Sequence, residues 1–159
     1  MRSRRHVAAV ALVAVSGLAA CQDQPPDTAV LLPAGPAMVD LTMREYGLDY
    51  DPVVPAGRVV FRVRNVGTEK HRLTMLPLSD DVPPVLEQLR GSQRIVVPPY
   101  AGTHELAPGG TATFAVDLAA GQRYALVCNL RGPDRQPHSM KGMASEFRSV
   151  TTTPPGGPA

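Results

Sequence analysis

Tryptophan is absent from the chain, and three phenylalanines and four tyrosines supply all of its phenyl and phenol rings. Any core must therefore be aliphatic, packed from Val, Leu and Ala. Cysteine is nearly as scarce, with two in 159 residues. One of them, Cys21, stands at the end of an apolar leader, so Cys128 is the only thiol left to the domain and no internal disulfide can form. Internal repeats and long amphipathic helices are also missing, which leaves short elements to organise the fold. Nor is there an excess of one charge. The 16 Lys and Arg face 14 Asp and Glu, and three of the arginines (Arg2, Arg4, Arg5) belong to the leader, so 13 face 14 beyond it. No basic patch argues for nucleic acid, and "EKHR" and "RGPDR" read as solvated turns.

What is present begins with that leader. Residues 1–20 have a basic start, the apolar run "VAAVALVAVSGLAA" and then Cys21, the construction of a bacterial export signal. The run is too short and too rich in small residues for a membrane span. Its end, "LAAC", resembles the lipobox of bacterial lipoproteins, which implies that Cys21 is lipidated and becomes the mature N-terminus. The alternative is a plain signal peptide cut nearby. "SRR" at Ser3–Arg5 resembles part of a twin-arginine signal but lacks the hydrophobic residues usual after it. The expected location is the outer face of the cytoplasmic membrane, in the cell envelope.

Residues 21–37, rich in proline and small side chains, read as a flexible tether. Residues 38–152 form the one domain that the length allows, and residues 153–159 read as a disordered tail. Within the domain, "MVDLTMREY" (38–46), "RVVFRVRN" (58–65), "HRLTMLPL" (71–78), "TATFAVDL" (111–118), "RYALVCNL" (123–130) and "SEFRSVTT" (145–152) mostly alternate apolar and polar residues between turn signals. The fold class is therefore all-β, a small antiparallel β-sandwich. In "RVVFRVRN", Val59, Phe61 and Val63 share the inner face while Arg58, Arg62 and Arg64 point out. "DDVPPVLEQLRG" (80–91) predicts one short helical insertion, with Asp80 or Asp81 as N-cap and Gly91 as stop.

The chemistry gathers near the end, in "CNLRGPDRQPHSMKGM" (128–143), where a cysteine, a histidine and two methionines fall close together. Prolines and glycines often bring such residues together in loops without a metal, and a lone cysteine is often simply buried. The order of residues along the chain points further. A strand ends in "NVGTEKH" and supplies His71; a later strand ends on Cys128; a loop delivers His138 and Met143; a final strand follows. This resembles the cupredoxins, the blue-copper electron-transfer proteins, over about Met38 to Thr152. "HSMKGM" keeps the histidine followed by a Gly-Met pair, and "GQRYALVC" keeps the approach to the cysteine. The resemblance implies a Greek-key sandwich holding one type 1 copper ion. It makes His71 and His138 the imidazole ligands, Cys128 the thiolate and Met143 the weak axial thioether.

That donor set also has an independent rationale. Copper that alternates between two oxidation states needs a soft anionic ligand, two imidazoles acceptable to either state and a distant thioether. Two features depart from the family. Nine residues separate Cys128 from His138, more than in the small cupredoxins and nearer to the copper domains of nitrite reductases. Arg72 follows His71, where many members place a side chain that ties the ligand loops together.

The other soft residues have ordinary readings. Met140 is the alternative axial ligand; Met75, Met43 and Met38 read as core or surface; His104 as a partly exposed structural histidine; Asn65 as a turn residue bonding backbone. The expected function is single-electron transfer between redox protein partners by a membrane-anchored monomer. The alternatives are copper storage or delivery with the same ligands, and a metal-free cupredoxin-fold interaction module. An enzyme is the poorest fit, because the chain lacks the extra histidines of a second metal cluster. By the resemblance, an exposed edge of His138 is the electron route, with Arg131, Arg135 and Lys141 as possible docking residues around it.

Overall fold

The structure, a computed structural model, describes residues 35–91 and 97–151. The leader, Cys21, the tether up to residue 34 and the C-terminal tail lie outside the described residues. Among the described residues, eight strands form two four-stranded sheets. The first contains β1 (Ala37–Arg44), β2 (Gly47–Tyr50), β3 (Gly57–Asn65) and β6 (Thr111–Leu118) in the order β2-β1-β3-β6; the second contains β4 (Thr74–Leu78), β5 (Ala101–Gly102), β7 (Arg123–Val127) and β8 (Ala144–Arg148) in the order β5-β4-β7-β8. The expected sandwich is present, with one pairing, β1 against β3, running parallel. Neither β2 nor β5 has a sequence signature, because four and two residues are too few for an alternation to be read.

Alternation decides which side chains face the other sheet. On β1, Val39, Leu41 and Met43 are buried, and on β3 so are Val59, Phe61 and Val63. They pack against Leu73, Met75, Tyr124, Leu126 and Phe147 of the facing layer, and Cys128 and Met143 belong to the same cluster. Aliphatic packing thus fills the core as composition requires, with Phe61 stacked on Phe114 at a centroid distance of 5.2 Å. Strand β7 is buried on both faces: Tyr124 and Leu126 point inward, while Ala125 and Val127 join Leu78, Val82 and Val85 in a second cluster on the outer side. That double burial explains why "YALVC" reads as an unbroken apolar run.

The helical insertion is shorter than its sequence predicts. Helix α1 spans Val85–Arg90, and its N-cap is Pro84 with no side-chain cap. Neither Asp80 nor Asp81 caps it. Asp80 is taken instead by Arg148 at 2.7 Å, and the Val85 N–H donates to Glu146 of β8. Gly91 stops the helix as expected, its N–H bonding the carbonyl of Glu87.

Candidate metal centre

Three loops meet at one end of the sandwich, each aimed by the strand that enters it. Cys128 follows Leu126 by two residues, so the period of β7 turns its thiol inward with Tyr124 and Leu126; all three are buried. His71 holds the same parity as Leu73 and Met75 and is fully buried. It lies ahead of β4 in an isolated bridge to Leu106, with N–H to O distances of 3.1 and 2.8 Å in the two directions. The expected strand 71–78 is therefore interrupted after His71. Asn65 fixes the preceding turn: its amide nitrogen donates to the carbonyls of Glu69 (2.7 Å) and Leu106 (2.9 Å), and its side-chain oxygen accepts from the Gly67 N–H (2.9 Å).

The long loop between Cys128 and His138 does not spread the ligands apart, because it folds back on itself. Arg131 and Pro137 form a bridge, the Gly132 N–H bonds the Gln136 carbonyl at 3.0 Å, and the His138 N–H bonds the Leu130 carbonyl at 2.8 Å. A single 3₁₀ turn, His138–Lys141, follows, ended by Gly142 in the left-handed region at φ 112°. That conformation, which suits glycine, turns the chain back so that Met143 bonds the segments carrying His138 and Cys128. Its N–H donates to the His138 carbonyl and its carbonyl accepts from the Cys128 N–H, both at 3.0 Å. Met143 is fully buried, whereas Met140 is 42% exposed, so the two methionines of the motif are sharply distinguished. Met75 and Met43 are core residues, Met38 is at the surface, and His104 is exposed and takes no part in the cluster.

The donor atoms of His71, Cys128 and His138 lie within 4.8 Å of one another. His71 Nδ1 is 3.0 Å from His138 Nδ1, which is 3.6 Å from Cys128 Sγ. An ion bonded to nitrogen at about 2.0 Å and to sulfur at about 2.3 Å separates its nitrogens by roughly 3.0–3.5 Å and nitrogen from sulfur by roughly 3.4–3.7 Å. The residues fit a first-row metal ion. Burial raises the pKa of the Cys128 thiol, while backbone N–H groups aimed at the sulfur oppose the rise and favour the thiolate that a metal would bind. One of these, from Arg72, lies 3.4 Å from the sulfur. Arg72 thus links the loops carrying His71 and Cys128 through its backbone, where a side chain was the expected device.

Behind each imidazole stands a carboxylate that the sequence reading did not single out. His71 Nε2 is 3.2 Å from Glu45 Oε1, and His138 Nε2 is 3.0 Å from Glu69 Oε2. The second contact lies off the N–H axis, so this buried nitrogen makes no formed hydrogen bond. Burial pushes the Glu45 carboxyl up, but the backbone N–H groups of Glu69 and Thr68 and the His71 ring outweigh it and hold its pKa at about 2. His71 itself is pushed below the ordinary histidine value by burial, with Glu45 opposing. One signal for Glu45 was available: it shares parity with Leu41 and Met43, an acidic residue in phase with a core-facing series.

The expectation of an exposed His138 edge is corrected. His138 is 1% exposed, because Tyr46 lies against it with ring centroids 5.0 Å apart. The Tyr46 hydroxyl donates to Glu69 Oε1 at 3.0 Å and accepts from Lys141 Nζ at 2.9 Å. Of the expected docking residues, Lys141 is mostly buried and paired with Asp134 at 2.6 Å. Arg131 and Arg135 are exposed, with the Arg131 guanidinium donating to the Arg135 carbonyl at 2.6 Å.

No family model matches the chain, and no curated protein matches it in sequence. Solved structures do match. Dithionite-reduced auracyanin from Roseiflexus castenholzii aligns at 19% identity and TM-score 0.51, covering 73% of this chain and 99% of that one. Auracyanin B aligns at 17% identity and TM-score 0.51, over 75% and 93%. Auracyanin A from Chloroflexus aurantiacus, described as a blue copper protein, aligns at 14% identity and TM-score 0.49, over 74% and 100%. The first two likenesses establish the fold: the chain is a cupredoxin-type sandwich, and its candidate metal centre lies where three of its loops converge.

Proposed function

We propose that this protein is a type 1 copper protein that carries single electrons between redox partners. One observation carries the reading: two imidazole nitrogens and one thiol sulfur, all buried, converge at metal-ligand spacing in a cupredoxin-type sandwich. His71, Cys128 and His138 would hold the ion, with Met143 as the weak axial ligand. Copper would supply a reversible one-electron change. The chain's own residues keep the donors in place through it, by the backbone bonds linking Cys128, His138 and Met143 and the Asn65 side chain behind His71. Among the described residues no second cluster of this kind accompanies the first, which favours a carrier over an enzyme. The buried ligands also favour carriage over delivery, since a delivery site must release its ion readily.

The protein is further proposed to be exported and held to the membrane by a lipid on Cys21, with Arg131 and Arg135 available to an acidic redox partner. Cys21→Ser should then release the folded domain from the membrane fraction. Titration of the purified protein with Cu(II), followed by absorption and EPR, tests the copper reading. Intense blue colour with narrow hyperfine splitting is expected; a colourless protein that takes up no copper would overturn the copper reading and favour the metal-free interaction module.

A further inference from the structure

The carboxylates behind the two histidines carry the next step, which rests on the copper reading above. A ligand imidazole whose far nitrogen faces a carboxylate is a more basic donor, and such partners orient the ring. Here both imidazoles have one, on different loops: Glu45 at the end of β1 and Glu69 in the turn before His71. Neither carboxylate is held loosely. Glu45 Oε1 accepts the N–H groups of Thr68 (2.7 Å) and Glu69 (2.6 Å), and Glu69 Oε1 accepts the Tyr46 hydroxyl. Even the glycines beside them leave room: a β-carbon on Gly67 would lie 2.7–2.8 Å from Glu45 Oε2 and its carboxyl carbon, and one on Gly132 would lie 3.3 Å from Glu69 Oε2.

We infer that Glu45 and Glu69 are positioning residues that bias the centre toward its more highly charged oxidation state. Two fixed negative charges beside buried imidazoles favour a divalent ion over a monovalent one, because their attraction grows with the charge of the ion. Glu45 acts through charge and a hydrogen bond to its ring, and Glu69 through charge at close range. The reduction potential is therefore held lower than the four direct ligands alone would set it.

The test compares the full chain with Glu45→Gln and Glu69→Gln, which keep size and an acceptor oxygen while removing charge. Cu(II) and Cu(I) affinities are measured by competition with chelators, and the potential by redox titration. Each variant is expected to bind Cu(II) about 10–100-fold more weakly with a smaller loss for Cu(I). A tenfold difference between the two losses raises the potential by about 59 mV. Unchanged affinities and potential in both variants, with a blue wild type, would overturn the inference and leave the copper reading standing. A wild type that takes up no copper would overturn the copper reading, and Zn(II) affinity then decides the carboxylates: tenfold or greater weakening supports them, equality overturns them. Should Glu69→Gln or Glu45→Gln fail to fold, Glu69→Asp or Glu45→Asp, which keeps the charge but draws it back by one methylene from its imidazole, should raise the potential in the same direction by a smaller amount; no change there would count against that carboxylate.

Discussion

Gly67→Ala isolates what the Glu45 carboxylate does for the fold. Gly67 has no left-handed backbone requirement, so alanine costs nothing in backbone strain there. Its β-carbon would instead meet the carboxylate, 2.7 Å from Oε2 and 2.8 Å from the carboxyl carbon. A glutamate head group is flexible, so the collision is relieved by swinging it away. The cost is then the interactions it abandons: the N–H groups of Thr68 and Glu69 and the ring nitrogen of His71. Hydrogen bonds to charged groups contribute about 1.5–3 kcal/mol each. Water can replace the carboxylate at exposed Thr68, and the His71 contact is long at 3.2 Å, so a net loss of about 2 kcal/mol follows.

For a domain of this size that loss is a fall in Tm of about 8 °C, measurable by thermal unfolding of the metal-free protein. The decisive control is Gly67→Ala in a Glu45→Ala background. With no carboxylate to displace, the added methyl should change Tm by no more than about 1 °C, within the additivity expected of independent sites. If Gly67→Ala costs as much without Glu45 as with it, the damage lies in the turn itself and the reasoning about the carboxylate fails.

Three other outcomes follow from the structure. Cys128→Ser should abolish the copper charge-transfer band, because a hydroxyl is a poor replacement for a thiolate, and absorption spectra of copper-treated protein check it. Met143→Leu should keep the colour and raise the potential while Met140→Leu changes neither, since only Met143 is buried among the ligand segments and an axial thioether bonds weakly; redox titration separates the two. Tyr50 is raised above its ordinary value of 10.0, chiefly by burial, with its hydroxyl 2.9 Å from Ser145 Oγ opposing the shift. The folded chain thus holds that proton when the unfolded chain has lost it, so the contribution is complete below pH 10.0 and is lost as pH rises through the folded value. Thermal unfolding across alkaline pH should show the decline, and Tyr50→Phe should flatten it.

The burial of Cys128 and His71 was legible because both continue the parity of a neighbouring strand, whereas His138 lies in a 3₁₀ turn that no parity marks. Cys128 continues the inward series of Tyr124 and Leu126, and His71 begins the one continued by Leu73 and Met75. The burial of Met143 and the exposure of Met140 were legible for a related reason: the Gly-Met pair marks the point where a left-handed residue turns the chain back into the core. The cover over His138 was not. Tyr46, Glu69 and Lys141 come from three separate segments, and their meeting depends on how the loops stack, which no periodicity records. The helix start failed for a local reason. Asp80 and Asp81 are good caps by composition, but an ion pair with Arg148 and the two prolines at 83 and 84 moved the first turn to Val85.

The buried histidines and their carboxylates together explain how the centre tolerates so much polarity inside a small aliphatic sandwich. Burying a charge is costly unless it is paired, and here two carboxylates face two imidazoles whose inner nitrogens are only 3.0 Å apart. With both outer nitrogens protonated, the His71 one toward Glu45 and the His138 one near Glu69, the inner lone pairs would point at each other, an arrangement that favours a cation between them. Without a metal, burial keeps the thiol protonated, which limits the negative charge around that gap. A bound ion would replace the thiol proton, leaving three anionic groups, Cys128, Glu45 and Glu69, around one cation. A divalent ion would balance them better than a monovalent one, so the charge arrangement would favour the oxidised state of a copper ion, while the backbone bonds joining Cys128, His138 and Met143 would restrain the donors in either state.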